Sequence, residues 1–274
     1  MRIISTLMCV WIAGCGGGDP LDSDEDIGGW ATATSSLGVF AIGYEPVGYA
    51  AGAYQFADPA CPSHSDDGTT LTLTGGCAAS NSIQWLGSVK VVRGAAGELT
   101  LTLSDFGNDA LGGETRTSGT IHVTQTAADI HAFSVDVTRK GGIESDITYS
   151  GTVRGAFTGP TTWNGSGSVH RSGFTIDGGD VDATTVDEVR DTDVCPGEPL
   201  SGTTTMTSDG HTVAITYDGA TDCTAAHTAK WMRDGQDMGT VENISCSTGS
   251  PSGFGLVAGV LVWSYRRRRK LRRM

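Results

Sequence analysis

A two-residue rhythm running from Thr69 to Trp231 constrains this chain more than any other feature. Leu71 and Leu73 alternate with Thr70, Thr72 and Thr74, and Leu99, Leu101 and Leu103 alternate with Thr100 and Thr102. Successive side chains of a strand point to opposite faces, so such a chain writes one apolar face and one hydroxyl-rich face. The same phase recurs in Ile83, Trp85, Val89 and Val91, in Ile121 and Val123, and in Phe133, Val135 and Val137. It continues through Ile143, Ile147, Tyr149 and Val153, then Val213, Ile215 and Tyr217, then Ala229 and Trp231. Turn chemistry separates the runs, as at Gly75-Gly76, Lys140-Gly141-Gly142, Asp209-Gly210 and Asp234-Gly235. No stretch between Gly38 and Cys246 has a convincing helical period. The pattern predicts an all-β fold: an antiparallel meander of about a dozen strands, as one curled sheet, barrel-like or folded into a sandwich.

Charge is distributed unevenly. Seven basic residues (Arg266, Arg267, Arg268, Arg269, Lys270, Arg272, Arg273) crowd the last nine positions, and Arg2 opens the chain. Of 18 basic residues this leaves 10 between Asp19 and Tyr265 against 31 acidic ones, a balance of −21. A body of that charge repels phosphate backbones, so nucleic acid is not an expected partner.

Cys61, Cys77, Cys195 and Cys223 lie in the body. An even number in an exported chain implies disulfides, with three possible connectivities. Cys61–Cys77 and Cys195–Cys223 are favoured because each pair brackets a strand and a turn. Metal binding has little support: there is no C-x-x-C, and His64, His122, His131, His170, His211 and His227 are scattered. A loose repeat of Cys-Pro, Gly-Thr-Thr, Cys and Trp occurs at 61–85 and again at 195–231.

Motifs that carry chemistry are missing. There is no nucleophile elbow, phosphate loop, H-E-x-x-H or dinucleotide fingerprint. Acidic residues gather at Asp177, Asp180, Asp182, Asp187, Glu188, Asp191 and Asp193. Paired carboxylates there could serve glycoside hydrolysis, and Asp177, Asp180 and Asp182 are weak calcium candidates. A solvated edge or loop is the expected reading. Trp85 and Trp231 share a phase with aliphatic neighbours and are expected in the core; Trp163, beside Asn164-Gly165, is the expected exposed aromatic.

The two ends suggest export. Met1-Arg2 followed by the apolar Ile3–Ala13 reads as a signal peptide, and Ile12-Ala13-Gly14-Cys15 resembles the lipobox of bacterial lipoproteins. That resemblance implies cleavage before Cys15 and acylation of its thiol, and Gly16 in place of Asp implies transfer to the outer membrane. At the other end, Cys246 and a small-residue stretch precede the thirteen-residue apolar run Gly253–Tyr265 and the basic cluster. This resembles myxobacterial-type C-terminal sorting tags, which implies processing near Cys246. A retained membrane anchor is the alternative, although thirteen residues fall short of the ~20 that span a bilayer.

The expected organisation is a lipoprotein signal peptide at 1–14, a flexible acidic tether at 15–37, a β domain at 38–245 of possibly two related halves, and a sorting tag or anchor at 246–274. In the tether, Asp22-x-Asp24-x-Asp26 lacks the Gly and Glu of a calcium loop, with Ile27 and Ala33 in their places. The expected function is a non-enzymatic, lipid-anchored protein of the cell envelope, outer membrane or surface. It would have a structural or binding role, no cofactor, and the membrane as its partner. An envelope polysaccharide hydrolase and a barrel carrier for an apolar ligand are the alternatives.

Overall fold

The computed structural model describes residues 20–21, 24–43, 47, 60–79, 82–109, 114–141, 144–155, 160–172, 178–191, 193–195, 198–223, 228–242 and 244. Among the described residues fourteen strands form one antiparallel sheet in chain order. They are β1 (Ser63–Asp66), β2 (Thr70–Thr74), β3 (Cys77–Ala78), β4 (Gln84–Arg93), β5 (Leu99–Asn108), β6 (Thr115–Ala127) and β7 (Ile130–Lys140). There follow β8 (Glu144–Arg154), β9 (Thr161–Ser172), β10 (Gly179–Arg190), β11 (Ser201–Ser208), β12 (His211–Tyr217), β13 (Ala229–Arg233) and β14 (Gln236–Val241). Only β3 leaves the path, pairing with β4. The meander is open: β1 and β14 are its two edges, so it is a single sheet that does not close into a barrel.

Register turns the sequence rhythm into rows. One row runs Leu71, Val91, Leu101, Ile121, Val135, Tyr149, Gly167, Ala183, Met206, Val213 and faces inward. The adjacent row runs Thr72, Lys90, Thr102, Thr120, Asp136, Thr148, Ser168, Asp182, Thr207, Thr212 and faces water. Hydroxyls tolerate water and β-branched Thr suits the pleat, so this outer face needs no cover.

The inner face is covered by the chain's own beginning. Helix α1 (Asp24–Thr34) touches β10, β11 and β14, and residues 36–43 form a second helical stretch. Leu21, Ile27, Trp30, Val39 and Phe40 join the strand residues in one buried cluster. The flexible tether expected at 15–37 is therefore corrected from residue 24 onward: this is a packed helical insert. Several of its polar residues turn back on their own backbone. The Thr32 hydroxyl donates to the Gly28 carbonyl at 3.0 Å and that of Thr34 to Trp30 at 2.8 Å. Ser35 caps the second stretch, its Oγ accepting from the Gly38 N–H at 3.0 Å.

Two inward glycines make room for the insert. A Cβ on Gly165 would lie 2.5 Å from Tyr149 and 2.9 Å from the Ser36 hydroxyl. One on Gly179 would lie 2.8 Å from Pro20. Any larger side chain at either position would push the insert off the sheet.

Candidate functional site

The most charged part of the interior is created by a bulge. Along β10, Val181, Ala183 and Thr185 point inward and Asp180, Asp182 and Thr184 outward. Pairing with both β9 and β11 then shifts after Thr185–Val186, and Asp187 takes a left-handed φ of 49°. One extra residue reverses which side chains face in. Asp187 is exposed, while Glu188 is fully buried and Arg190 nearly so. Strict alternation would have given the opposite result.

Glu188 is held on two sides. Arg190 Nε donates to its Oε1 at 2.7 Å, and the Leu37 N–H of the insert approaches Oε2 at a long 3.5 Å. Glu198, at 1% exposure, lies in the following connection. Burial pushes its carboxyl up to about 7, and the charges of Asp218 and Asp222 push the same way against the pull of Arg190. The sulfurs of Cys195 and Cys223 are 2.05 Å apart, which joins the two connections that carry these acids.

A hydroxyl chain crosses the interior beside this group. The Tyr149 hydroxyl lies 3.0 Å from that of Ser36 and donates to Thr185 at 3.4 Å. Thr185 meets Thr204 at 3.0 Å, and Thr204 meets the Tyr217 hydroxyl at 2.9 Å. Burial raises the Tyr149 phenol above its ordinary value, with the Ser36 and Thr185 bonds opposing. The arrangement ties β8, β10, β11 and β12 to the insert. Its chemistry is that of holding: every group in the chain already serves another.

The residues expected from sequence are distributed differently. Asp180 faces outward against His170 Nδ1 at 2.9 Å, and Asp182 accepts a short hydrogen bond from Ser168. Asp187 and Asp193 are exposed and Asp191 is half-buried. Glu188 is corrected from a solvated acid to a buried one. Among the described residues no three His, Cys, Asp or Glu side chains are grouped to hold a metal, so Asp180 and Asp182 do not form a ligand set there. Trp163 is also corrected: it is 3% exposed, donates to the Thr161 hydroxyl at 2.9 Å, and packs on Phe40 and Phe133. Trp85 and Trp231 are buried as expected. Both favoured disulfides are present, Cys61–Cys77 at an S–S distance of 2.09 Å. Cys15, Asp177, His227 and Cys246 lie outside the described residues.

Tyr149, Thr185, Arg190, Glu198, Thr204 and Tyr217 are the interior polar residues that sequence reasoning missed as a group. A signal existed for one of them, Arg190. In Val186-Asp187-Glu188-Val189-Arg190 two adjacent acids break the alternation, which is where a bulge belongs. Comparison with protein-family models, curated proteins and solved structures finds no match to this chain.

Proposed function

We propose that this chain is a non-enzymatic lipoprotein of the cell envelope, anchored through Cys15, whose β domain has a structural or binding role on its outer, hydroxyl-rich face. One observation carries the reading. From β7 to β11 the inner face, where a carrier would hold its ligand, is packed against residues 27–43 of the same chain. What remains for a partner is the Ser/Thr/Asp face, on a body of charge −21. The acids nearest to a catalytic pair, Glu188 and Glu198, are both buried beside Arg190, which favours a binding protein over a polysaccharide hydrolase.

The insert also bears on the anchor. Pro20 is already seated on Gly179, so Cys15 is five residues from the sheet. Five residues reach at most ~18 Å, which would hold the domain close to a membrane surface. Metabolic labelling with a palmitate analogue should mark the wild type and fail in Cys15→Ser. Equal labelling of both would end the lipoprotein reading. Intact-mass measurement of the mature protein reports the other terminus: a chain ending near Cys246 supports a sorting tag, and one ending at Met274 a retained anchor.

A further inference from the structure

The sheet has two rims. Gly179, Arg171, Ser145 and Arg139 are paired neighbours along the rim where the insert enters. Trp30, fully buried, lies beneath Arg171 of this rim. The Arg171 guanidinium sits 5.7 Å from the centre of the Trp30 ring, and its Nη1 donates to the Gly29 carbonyl at 3.4 Å. Two buried donors remain here without an acceptor in the structure, Trp30 Nε1 and Arg171 Nε. Among the described residues no carboxylate pairs with Arg171, in a body where acids outnumber bases threefold.

Buried donors without acceptors are rare and cost about 1–3 kcal/mol each, more when charged. Here two of them, one charged, belong to neighbouring side chains. Burial lowers the Arg171 pKa to about 10 and the nearby charge of Arg139 adds to the shift. Arg171 is half-buried at the rim: part of its side chain meets solvent, although its Nε does not. An oxyanion satisfies such a corner: its oxygens accept from a guanidinium edge and from an indole N–H together.

We propose that the Arg171–Trp30 corner binds one phosphate group, carried by a soluble phosphate or by a lipid headgroup. Either source presents the same oxygens. The headgroup is within reach if Cys15 is acylated, but the site itself stands apart from that reading, since it is built from residues of the folded domain.

The test uses the full chain in neutral detergent. Sodium phosphate and glycerol phosphate are titrated against sodium chloride and sodium acetate at equal ionic strength, reading thermal stability and tryptophan fluorescence. Both phosphates should give a saturable stabilisation that chloride and acetate do not. Arg171→Gln should abolish it. Trp30→Phe keeps a ring beneath Arg171 but removes the N–H, and should weaken it by about tenfold. Because Arg171→Gln could lower stability by itself, Trp30→Phe supplies the independent check, read by melting. Tighter binding of glycerol phosphate assigns a headgroup and equal binding assigns free phosphate, and both support the site. A response matched by chloride or acetate, or one unchanged in both variants, overturns it.

Discussion

Each flank of the sheet carries the same device. Cys61 and Cys77 enclose the β1–β2 hairpin, and β4 then brings Trp85 inward. Cys195 and Cys223 enclose the β11–β12 hairpin, and β13 then brings Trp231 inward. β1 is a sheet edge, whereas β11 and β12 are each paired on both sides, so the covalent link makes up for a missing neighbour only at the first hairpin. The surroundings differ. Around the first clasp the interior is dry, with Trp85 stacked on Phe106 at 5.6 Å between ring centres. Its ion pair, Arg93–Asp66 at 2.8 Å, lies at the far ends of β4 and β1 and is partly exposed. Around the second clasp the interior is charged, with Glu188, Arg190 and Glu198 all buried. The repeat visible in the sequence is thus a repeat of the clasp, while the bulge in β10 decides what it encloses.

That contrast can be broken by mutation, most severely at the buried pair. Glu188→Ala strips Arg190 of a partner inside the protein and should cost about 3–5 kcal/mol in urea unfolding. Asp66→Ala, on the dry flank, should cost about 1 kcal/mol or less. Similar losses at both sites would show that the two flanks are energetically alike. Next come the clasps themselves. Replacing Cys61 and Cys77 by Ser opens a loop spanning 16 residues, and replacing Cys195 and Cys223 opens one spanning 28. Chain entropy gives about 3 kcal/mol for the first and roughly half a kcal/mol more for the second. A much larger loss at Cys195–Cys223 would mean that this link also holds the buried acids in place.

A smaller effect than that of the clasps is the most specific to the charged flank. The folded-state pKa of Glu198, about 7, lies above its ordinary 4.5, so the folded protein holds this proton more tightly than the unfolded chain. Its contribution is complete below pH 4.5 and is lost as pH rises towards 7. Glu198→Gln should therefore be neutral near pH 4 and stabilising by on the order of 1–2 kcal/mol at pH 8. Thermal melts of wild type and variant across this range test the sign. A variant that is less stable at pH 8 would show that the ionised carboxylate, held by Arg190, is the favoured form.

Much of the architecture was legible because alternation acts at every residue. Register only had to align rows that the chain already carried, such as Leu101 beside Ile121 and Val135. The disulfides were legible because each encloses one short hairpin. The insert was not. Gly28-Gly29, Thr32, Thr34, Ser35 and Gly38 are poor helix formers, so residues 24–43 carry little local preference for a helix. Trp163 misled for a related reason: Asn164-Gly165 reads as a turn, yet Gly165 lies mid-strand because Tyr149 and Ser36 leave no room for a side chain there.

By itself the sequence determined the meander, its inner and outer rows and the pairing of the body cysteines, since each depends on spacing between near neighbours. Tertiary structure alone decided two things. It gave helical form to residues 24–43, because burying Ile27, Trp30 and Phe40 against the sheet outweighs their weak local preference. It also turned Glu188 and Arg190 inward, because the bulge at Asp187 exists only in register with β9 and β11.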